Sequence, residues 1–126
     1  MIEVSAGQAV SSPESEAAMG YYDIEGNPVS KARAERLLAD TAARTIGDDR
    51  VVTAAGTFRI TTTHLVRDQA DGGKVPLLFE SAVRLDGEEV LSLHWSTRQQ
   101  AQDAHAQLVR DITERQDLPS WAHEAG

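Results

Sequence analysis

The chain is 126 residues long, which suffices for one domain with a single hydrophobic core. It contains no cysteine, which excludes disulfide bonds, thiolate catalysis and cysteine-ligated zinc. The formal net charge is −8, but residues 1–30 carry five acidic and no basic side chains, so the remaining 96 residues carry 15 acidic and 12 basic ones. Binding to a nucleic-acid backbone needs a basic stripe. The sequence therefore predicts no nucleic-acid partner.

Composition divides the chain into three parts. Residues 1–19 are small, polar and acidic and predict a flexible leader, residues 20–116 predict a single domain, and residues 117–126 predict a C-terminal tail. The beginning lacks the basic and apolar segments of a secretory signal, and no apolar run approaches the ~20 residues of a membrane span. We therefore expect a cytoplasmic protein with no membrane partner.

The first ordered elements are a turn, a helix and a β-rich segment. The turn is EGNP, and Ser30 after it is a good N-cap for a helix from Lys31 to about Ile46, with Gly47 just beyond its end. The segment RVVTAAGTFRITTTHLVRD is dense in β-formers and predicts one or two strands, with Gly56 at a turn or bulge.

The stretch from Pro76 to Ile112 predicts a hairpin followed by a helix. Asp86-Gly87 suits a two-residue type I′ turn between PLLFESAVRL and EEVLSLHW, which places Arg84 opposite Glu89. Thr97 and Gln100 are spaced as a capping box. Behind them an apolar stripe at helical spacing predicts a helix of roughly four turns; its members are Ala101, Ala104, His105, Leu108, Val109 and Ile112.

A regular hairpin would be apolar on both faces. One face would hold Leu77, Phe79, Val83, Leu85 and Val90, and the other Leu78, Glu80, Ala82, Leu91, Leu93 and Trp95. Two helices packed on one face would leave the other uncovered, and such an apolar face usually marks an interface. We therefore expect a sheet face used for a homodimer or a protein partner, with candidate residues Leu77, Leu78, Phe79, Glu80, Val83, Leu91, Leu93 and Trp95.

The residues that could carry chemistry are few. Glu80 on an apolar strand must be paired with a cation such as Arg59, lie at a rim, or act as a catalytic acid. His64, His94 and His105 could form a metal or acid–base site, but a regular register turns Glu80 away from His94. Trp95 and Trp121 could line a pocket, although both more often serve as packing. No nucleophile elbow, phosphate loop or dinucleotide motif is present, so the sequence predicts no cofactor and no metal.

Part of the chain resembles a known group of proteins. The pieces YYDIEGNPVS, RLLADTAAR, FRITTTHL, PLLFESAV, WST and AQDAH occur in this order over about residues 21–112. They resemble small uncharacterised proteins encoded by actinobacterial phages and their hosts. This resemblance implies an accessory protein of phage or prophage origin, and it implies no catalytic residues.

A second resemblance is topological. A helix, three strands and a second, alanine-rich helix are similar to the double-stranded-RNA-binding domain. That family places lysines at the start of its second helix, where STRQQAQ offers only Arg98. The resemblance therefore implies a related shape without the phosphate contacts.

Together these patterns predict an α+β domain. We expect an antiparallel sheet of three to four strands with two helices, in the order α-β(-β)-β-β-α. The leading interpretation is a protein-interaction or regulatory module and not an enzyme. The alternatives are a small enzyme using a histidine with Glu80, and a degenerate RNA-binding-like domain.

Overall fold

The computed structural model describes residues 20–69 and 75–121. The predicted leader and the loop QADGGK lie wholly or mainly outside these residues. The described elements run in the order α1 (Lys31–Ala39), α2 (Thr41–Arg44), β1 (Thr45–Thr53), β2 (Gly56–His64), β3 (Phe79–Leu85), β4 (Glu88–Trp95) and α3 (Arg98–Arg115). The predicted α+β class and antiparallel sheet are confirmed, with four strands.

The sheet is an antiparallel meander in which each strand pairs with its neighbour in sequence, in the order β1-β2-β3-β4. The predicted two-residue turn joins β3 to β4, since Leu85 pairs with Glu88. Both turn residues have a positive backbone φ, 50° at Asp86 and 90° at Gly87. The predicted Arg84–Glu89 pair is confirmed, at 3.8 Å between Nη2 and Oε1.

The core lies between one face of the sheet, here called the inner face, and α3. Phe58, Ile60 and Val83 from β2 and β3 pack against Leu108 and Ile112 of the helix, and all five are at most 1% exposed. Burial of each such side chain contributes about 1.5–3 kcal/mol relative to leaving it in water. The predicted apolar stripe of α3 therefore forms the helix side of the core.

The predicted first helix is shorter than expected. It ends at Ala39, and Asp40 serves both as its C-cap and as the N-cap of the four-residue α2, where the Asp40 carboxylate accepts from Ala43 N at 3.1 Å. Strand β1 then begins at Thr45. The predicted helical span to Ile46 is wrong because Asp40 competes for backbone amides within the helix, as capping residues do. Helix α1 packs through Ala34 on Val29 and Val66.

A bulge in β4 changes which face its side chains occupy. Arg84 pairs with Glu89, but Val83 pairs with Leu91, so Val90 is an extra residue between the two pairs. Beyond this bulge Leu91, Leu93 and Trp95 share the inner face with Val83 and the other odd-numbered residues of β3. The predicted assignment of these three residues to the face of Glu80 is therefore wrong.

The opposite, outer face of the sheet is polar. Arg50, Arg59 and Arg84 lie in register across β1, β2 and β3. Asp48 forms a bidentate pair with Arg59, at 3.1 and 2.8 Å, and Glu89 lies near Arg84. The pKa of Asp48 is lowered, first by its hydrogen bond to Arg59. An outer face of this kind suits a wall in contact with water, so the expectation of a second apolar face is wrong.

Candidate binding groove

A groove of about 460 Å³ opens between α3 and the end of β4. It exists because α3 lies mainly over β1, β2 and β3 and covers little of the edge strand β4. Apolar surface dominates its lining. The lining residues are Trp95, Gln100, Asp103, Ala104, Gln107 and Trp121.

Trp95 is held from behind by a buried chain of hydrogen bonds. Its indole Nε1 donates to Ser81 Oγ at 3.0 Å, and Ser81 Oγ lies 2.7 Å from Thr62 Oγ1. Thr62 Oγ1 lies 2.8 Å from Nδ1 of His105, whose Nε2 lies 2.7 Å from Oδ2 of Asp49. Ser81 and Thr62 are fully buried, whereas the Asp49 side chain is 52% exposed. This series of hydrogen bonds therefore runs from the exposed Asp49 on β1, beneath α3, to Trp95 at the groove.

When His105 is neutral, the donors in this series of hydrogen bonds all point the same way. An indole can only donate, and a carboxylate can only accept, so the two ends fix the direction. With neutral His105 the order is Trp95 to Ser81, Ser81 to Thr62, Thr62 to His105, and His105 to Asp49, and every polar atom along it is satisfied. Buried polar groups with complete partners hold a core in one arrangement, so this chain fixes the orientation of the Trp95 ring.

The series Asp49, His105 and Thr62 has the order of an acid–base–hydroxyl catalytic triad. A nucleophile must meet its substrate, however, and Thr62 is 0% exposed beneath α3. His105 is 8% exposed, and Gly47 lies against its ring so closely that a Cβ atom there would overlap it. The geometry therefore suits a structural network that orients Trp95.

Trp121 is held on the opposite side of the groove by α3. Its Nε1 donates to Asp111 Oδ2 at 2.7 Å, while Gln107 donates to Asp111 Oδ1 at 2.8 Å. These two hydrogen bonds lower the pKa of Asp111. Leu118 and Trp121 pack on the core, and Pro119 is buried, although the sequence assigned them to a tail. Both indole N–H groups are thus engaged by the protein.

Asp103 gives the groove its charge. Its Oδ1 accepts from Gln99 at 2.9 Å, while its Oδ2 has no partner among the residues that the structure describes. Within residues 20–69 and 75–121, no lysine or arginine lines the groove. Arg110 lies beside it and donates to the Gln107 side chain, whose amide also bonds Asp111. The described lining therefore combines two indoles with one carboxylate that has a single hydrogen-bonded oxygen.

Strand β4 leaves one edge without a neighbour in the described sheet. It pairs only with β3, and it ends at Trp95, inside the groove. Glu88, Glu89 and Val90 at its start are exposed, and Val90 is 42% exposed. A free edge offers backbone N–H and C=O groups to an added strand. The free edge and the groove are therefore adjacent.

The residues predicted as an interaction surface do not form one exposed face. Leu78, Phe79, Val83 and Leu93 are buried. Leu77, Leu91 and Trp95 are partly buried, and Trp95 is the one that lines the groove. The expected contiguous apolar surface fails because the bulge turns the apolar side of β4 towards α3.

Glu80 lies on the outer face and has different partners from those expected. Its Oε2 accepts from Ser92 Oγ at 2.8 Å and lies 3.7 Å from His94 Nε2. Arg59, the expected partner, pairs with Asp48. The expectation that Glu80 faces away from His94 is wrong, because the bulge makes the two residues direct cross-strand partners.

His64 and His105 are separate from Glu80. His64 is 1% exposed and stacks at a tilt on Phe79 with centroids 5.1 Å apart, and none of the described residues forms a hydrogen bond with its Nε2. Burial lowers its pKa, as does the Arg44 cation, and these outweigh the opposing effects of Tyr22 and Asp23. Among the described residues no group of three or more His, Asp or Glu side chains is placed to hold a metal ion.

Arg98, the single cation at the start of α3, is already paired. Its Nη1 lies 3.0 Å from Oε2 of Glu25.

Sequence reasoning named the two tryptophans as possible pocket residues but missed Gln100, Asp103, Ala104 and Gln107. These four recur at helical spacing along one side of α3; Ala104 belongs to the apolar stripe, and the other three lie beside it. That spacing would have placed them together, but no sequence signal places Trp121 beside them.

Comparison of the chain with protein-family models, with curated proteins and with solved structures found no match. Within residues 20–69 and 75–121, no helix has the length and apolar character needed to cross a membrane.

Proposed function

We propose that this protein is a non-enzymatic binding module that recognises an extended segment of another protein. The observation that carries the proposal is the groove of about 460 Å³ between Trp95 and Trp121, which adjoins the free edge of β4. Tryptophan is among the residues that most often dominate the free energy of protein binding. Concave, mainly apolar sites with a few polar groups are the usual form of binding pockets.

The mode of binding that fits is strand addition. A partner segment would pair with the backbone of β4, and its side chains on the inner side would reach the groove. Main-chain hydrogen bonds would supply affinity, and the groove would supply selectivity. The resemblance to phage and prophage proteins suggests that the partner is a host or phage protein, and this setting rests on the resemblance alone.

A small enzyme using His94 and Glu80 is the second candidate, and the 3.7 Å approach of their side chains favours it. Both side chains lie on the outer face, about one-third exposed, and Ser92 donates to the same carboxylate oxygen that faces His94. General acid–base catalysis requires a bound substrate within hydrogen-bond reach of such groups. The groove has a mainly apolar lining with two indoles, whereas the surroundings of His94 and Glu80 are polar, so the binding module is the stronger proposal.

A pair of matched variants tests the groove. Ala104→Leu places a larger side chain in the groove, and Ala106→Leu makes the same change at an exposed position of the same helix. Wild type and both variants are immobilised and exposed to a lysate of the source organism, and captured proteins are quantified by mass spectrometry. We expect a protein retained by wild type and Ala106→Leu and lost from Ala104→Leu, then confirmed with the purified partner by calorimetry. Equal capture by all three, or no selective capture at all, would reject the groove as a binding site.

A further inference from the structure

We propose that the groove receives a lysine or arginine side chain, carried by the extended segment that pairs with β4. This inference rests on the proposed function and goes beyond it by naming the chemical class that the site selects.

The charges of the groove favour a cation. Asp103 contributes a carboxylate with one oxygen unpartnered among the described residues, and the anionic form of nearby Asp111 is favoured by hydrogen bonds from Gln107 and Trp121. Among the described residues the lining contains no positive side chain, and the neighbouring Arg110 donates to Gln107. Arg110 and Arg115 act on Asp111, so the attraction for a partner cation comes mainly from Asp103, which would repel a carboxylate.

The two indoles favour the same class. Each uses its N–H group within the protein, Trp95 on Ser81 and Trp121 on Asp111. The groove is therefore lined by the aromatic rings of the two indoles and not by their N–H groups. An aromatic ring attracts cations through its quadrupole and packs against aliphatic stems. Long side chains with a charged end satisfy both parts of such a site, because the stem lies on apolar surface while the head reaches Asp103.

The position of the groove relative to the sheet explains how a strand would deliver this side chain. Leu91, Leu93 and Trp95 occupy the inner side of β4 beyond the bulge. A strand added at the edge lies about 4.8 Å further out, and every second side chain points to the inner side. A residue paired near the end of β4 would thus stand beside Trp95 and face α3.

The intrinsic tryptophan fluorescence of the protein can test this inference. The chain has two tryptophans, and both line the groove, so its intrinsic indole fluorescence reports the occupancy of this site. The probes are three blocked peptides without aromatic residues: acetyl-Thr-Val-Lys-Val-Thr-amide and the same peptide with leucine or glutamate at the centre. Each is titrated into the full chain at low ionic strength, and Kd is obtained from the change in fluorescence.

We expect the lysine peptide to bind about tenfold more tightly than the glutamate peptide, with the leucine peptide between them. The substitution Asp103→Asn should reduce the preference for lysine over leucine, and Glu35→Gln, which neutralises an exposed carboxylate on α1, should leave it unchanged. Added salt should weaken the lysine peptide most.

Three results would overturn the inference in different ways. Equal affinity for all three peptides would reject cation selection and leave strand addition standing, and a lysine preference undiminished in Asp103→Asn would reject Asp103 as the group that selects the cation. No change in fluorescence with any peptide at millimolar concentration would reject both cation selection and the strand-addition mode.

Discussion

Glu80 on β3 lies directly opposite His94 on β4, with Oε2 of the carboxylate 3.7 Å from Nε2 of the imidazole. A regular hairpin with the same two-residue turn would place an even-numbered residue of β3 opposite an odd-numbered one of β4. The Glu80–His94 contact therefore results from the extra residue in β4, Val90. The same extra residue places Trp95 on the inner face, where Trp95 lines the groove.

Deletion of Val90 should preserve the fold. Val90 is the unpaired residue of the bulge and is 42% exposed, so its removal joins the Arg84–Glu89 and Val83–Leu91 pairs into a regular ladder. We expect a melting temperature within a few degrees of wild type and an unchanged tryptophan emission maximum. Deletion of Thr61 in the regular strand β2 is the control, and it should unfold the protein because it turns half of that strand over.

Thr62→Val should destabilise the protein although it conserves shape. It leaves Nδ1 of His105 and the hydroxyl of Ser81 without their shared partner in a buried site. Loss of a buried partner costs about 1–3 kcal/mol per unsatisfied group, measurable by urea unfolding. Thr62→Ser keeps the hydroxyl and should lose less. Equal costs for both variants would show that the hydrogen bonds contribute nothing beyond packing.

His64→Phe should remove a source of acid sensitivity. Because burial lowers the pKa of His64 in the folded state, the unfolded chain, with an ordinary pKa of about 6.5, binds the proton more readily. The contribution of neutral His64 to the free energy of unfolding is therefore fully present above pH of about 6.5. It is lost as the pH drops from there to the lower pKa of His64 in the folded state. Chemical denaturation between pH 7.5 and 5 should show a smaller loss in His64→Phe than in wild type.

The matched control for this pH effect is His94→Phe, which removes an exposed histidine from the outer face. Its slope of stability against pH is the reference for a histidine that is not buried. If the slope of stability against pH is the same in His64→Phe and wild type, the buried imidazole is not its source.

Leu108→Ala should be severely destabilising. Leu108 is 0% exposed and packs among Phe58, Ile60 and Val83. A buried Leu→Ala change costs about 2–5 kcal/mol, through lost transfer free energy and the cavity that remains. Thermal unfolding of Leu108→Ala is compared with that of Val109→Ala, a change at a partly buried neighbour that should destabilise the protein less. A larger destabilisation by Val109→Ala than by Leu108→Ala would show that Leu108 is not part of the core.

Thr97→Ala should cost about 1 kcal/mol, because it removes one half of the observed capping box. Thr97 Oγ1 accepts from Gln100 N at 3.1 Å, and the Gln100 side chain accepts from Thr97 N at 3.2 Å. Thr97→Ser retains the acceptor and should be close to wild type in urea unfolding. A loss of helical circular dichroism confined to the alanine variant would confirm the cap.

Features set by neighbouring residues were predictable from the sequence. The Asp86-Gly87 turn, the Arg84–Glu89 pair and the capping box each depend on residues at most five positions apart, and all three are confirmed. The break at Asp40 was missed because helix periodicity continues across it, while the cap that ends α1 is a local competition that periodicity does not register.

The face of β4 was predictable in principle. Apolar residues occupy odd positions in both β3 and β4, and a two-residue turn with regular pairing sets odd positions opposite even ones. One extra residue in a strand places the odd-numbered apolar residues of β3 and β4 on the same face, and Val90 is that extra residue. The groove could not be predicted in full, because Trp121 reaches it through a contact with Asp111 that no periodicity encodes.

The strand order has a consequence for synthesis of the chain. Each strand pairs with the one made just before it, so β1 to β4 can pair as successive hairpins while translation continues. Their apolar side stays open to solvent until Leu108 and Ile112 have been made. The interval between completion of β4 and completion of α3 is therefore when the nascent chain is most exposed to aggregation and to chaperones.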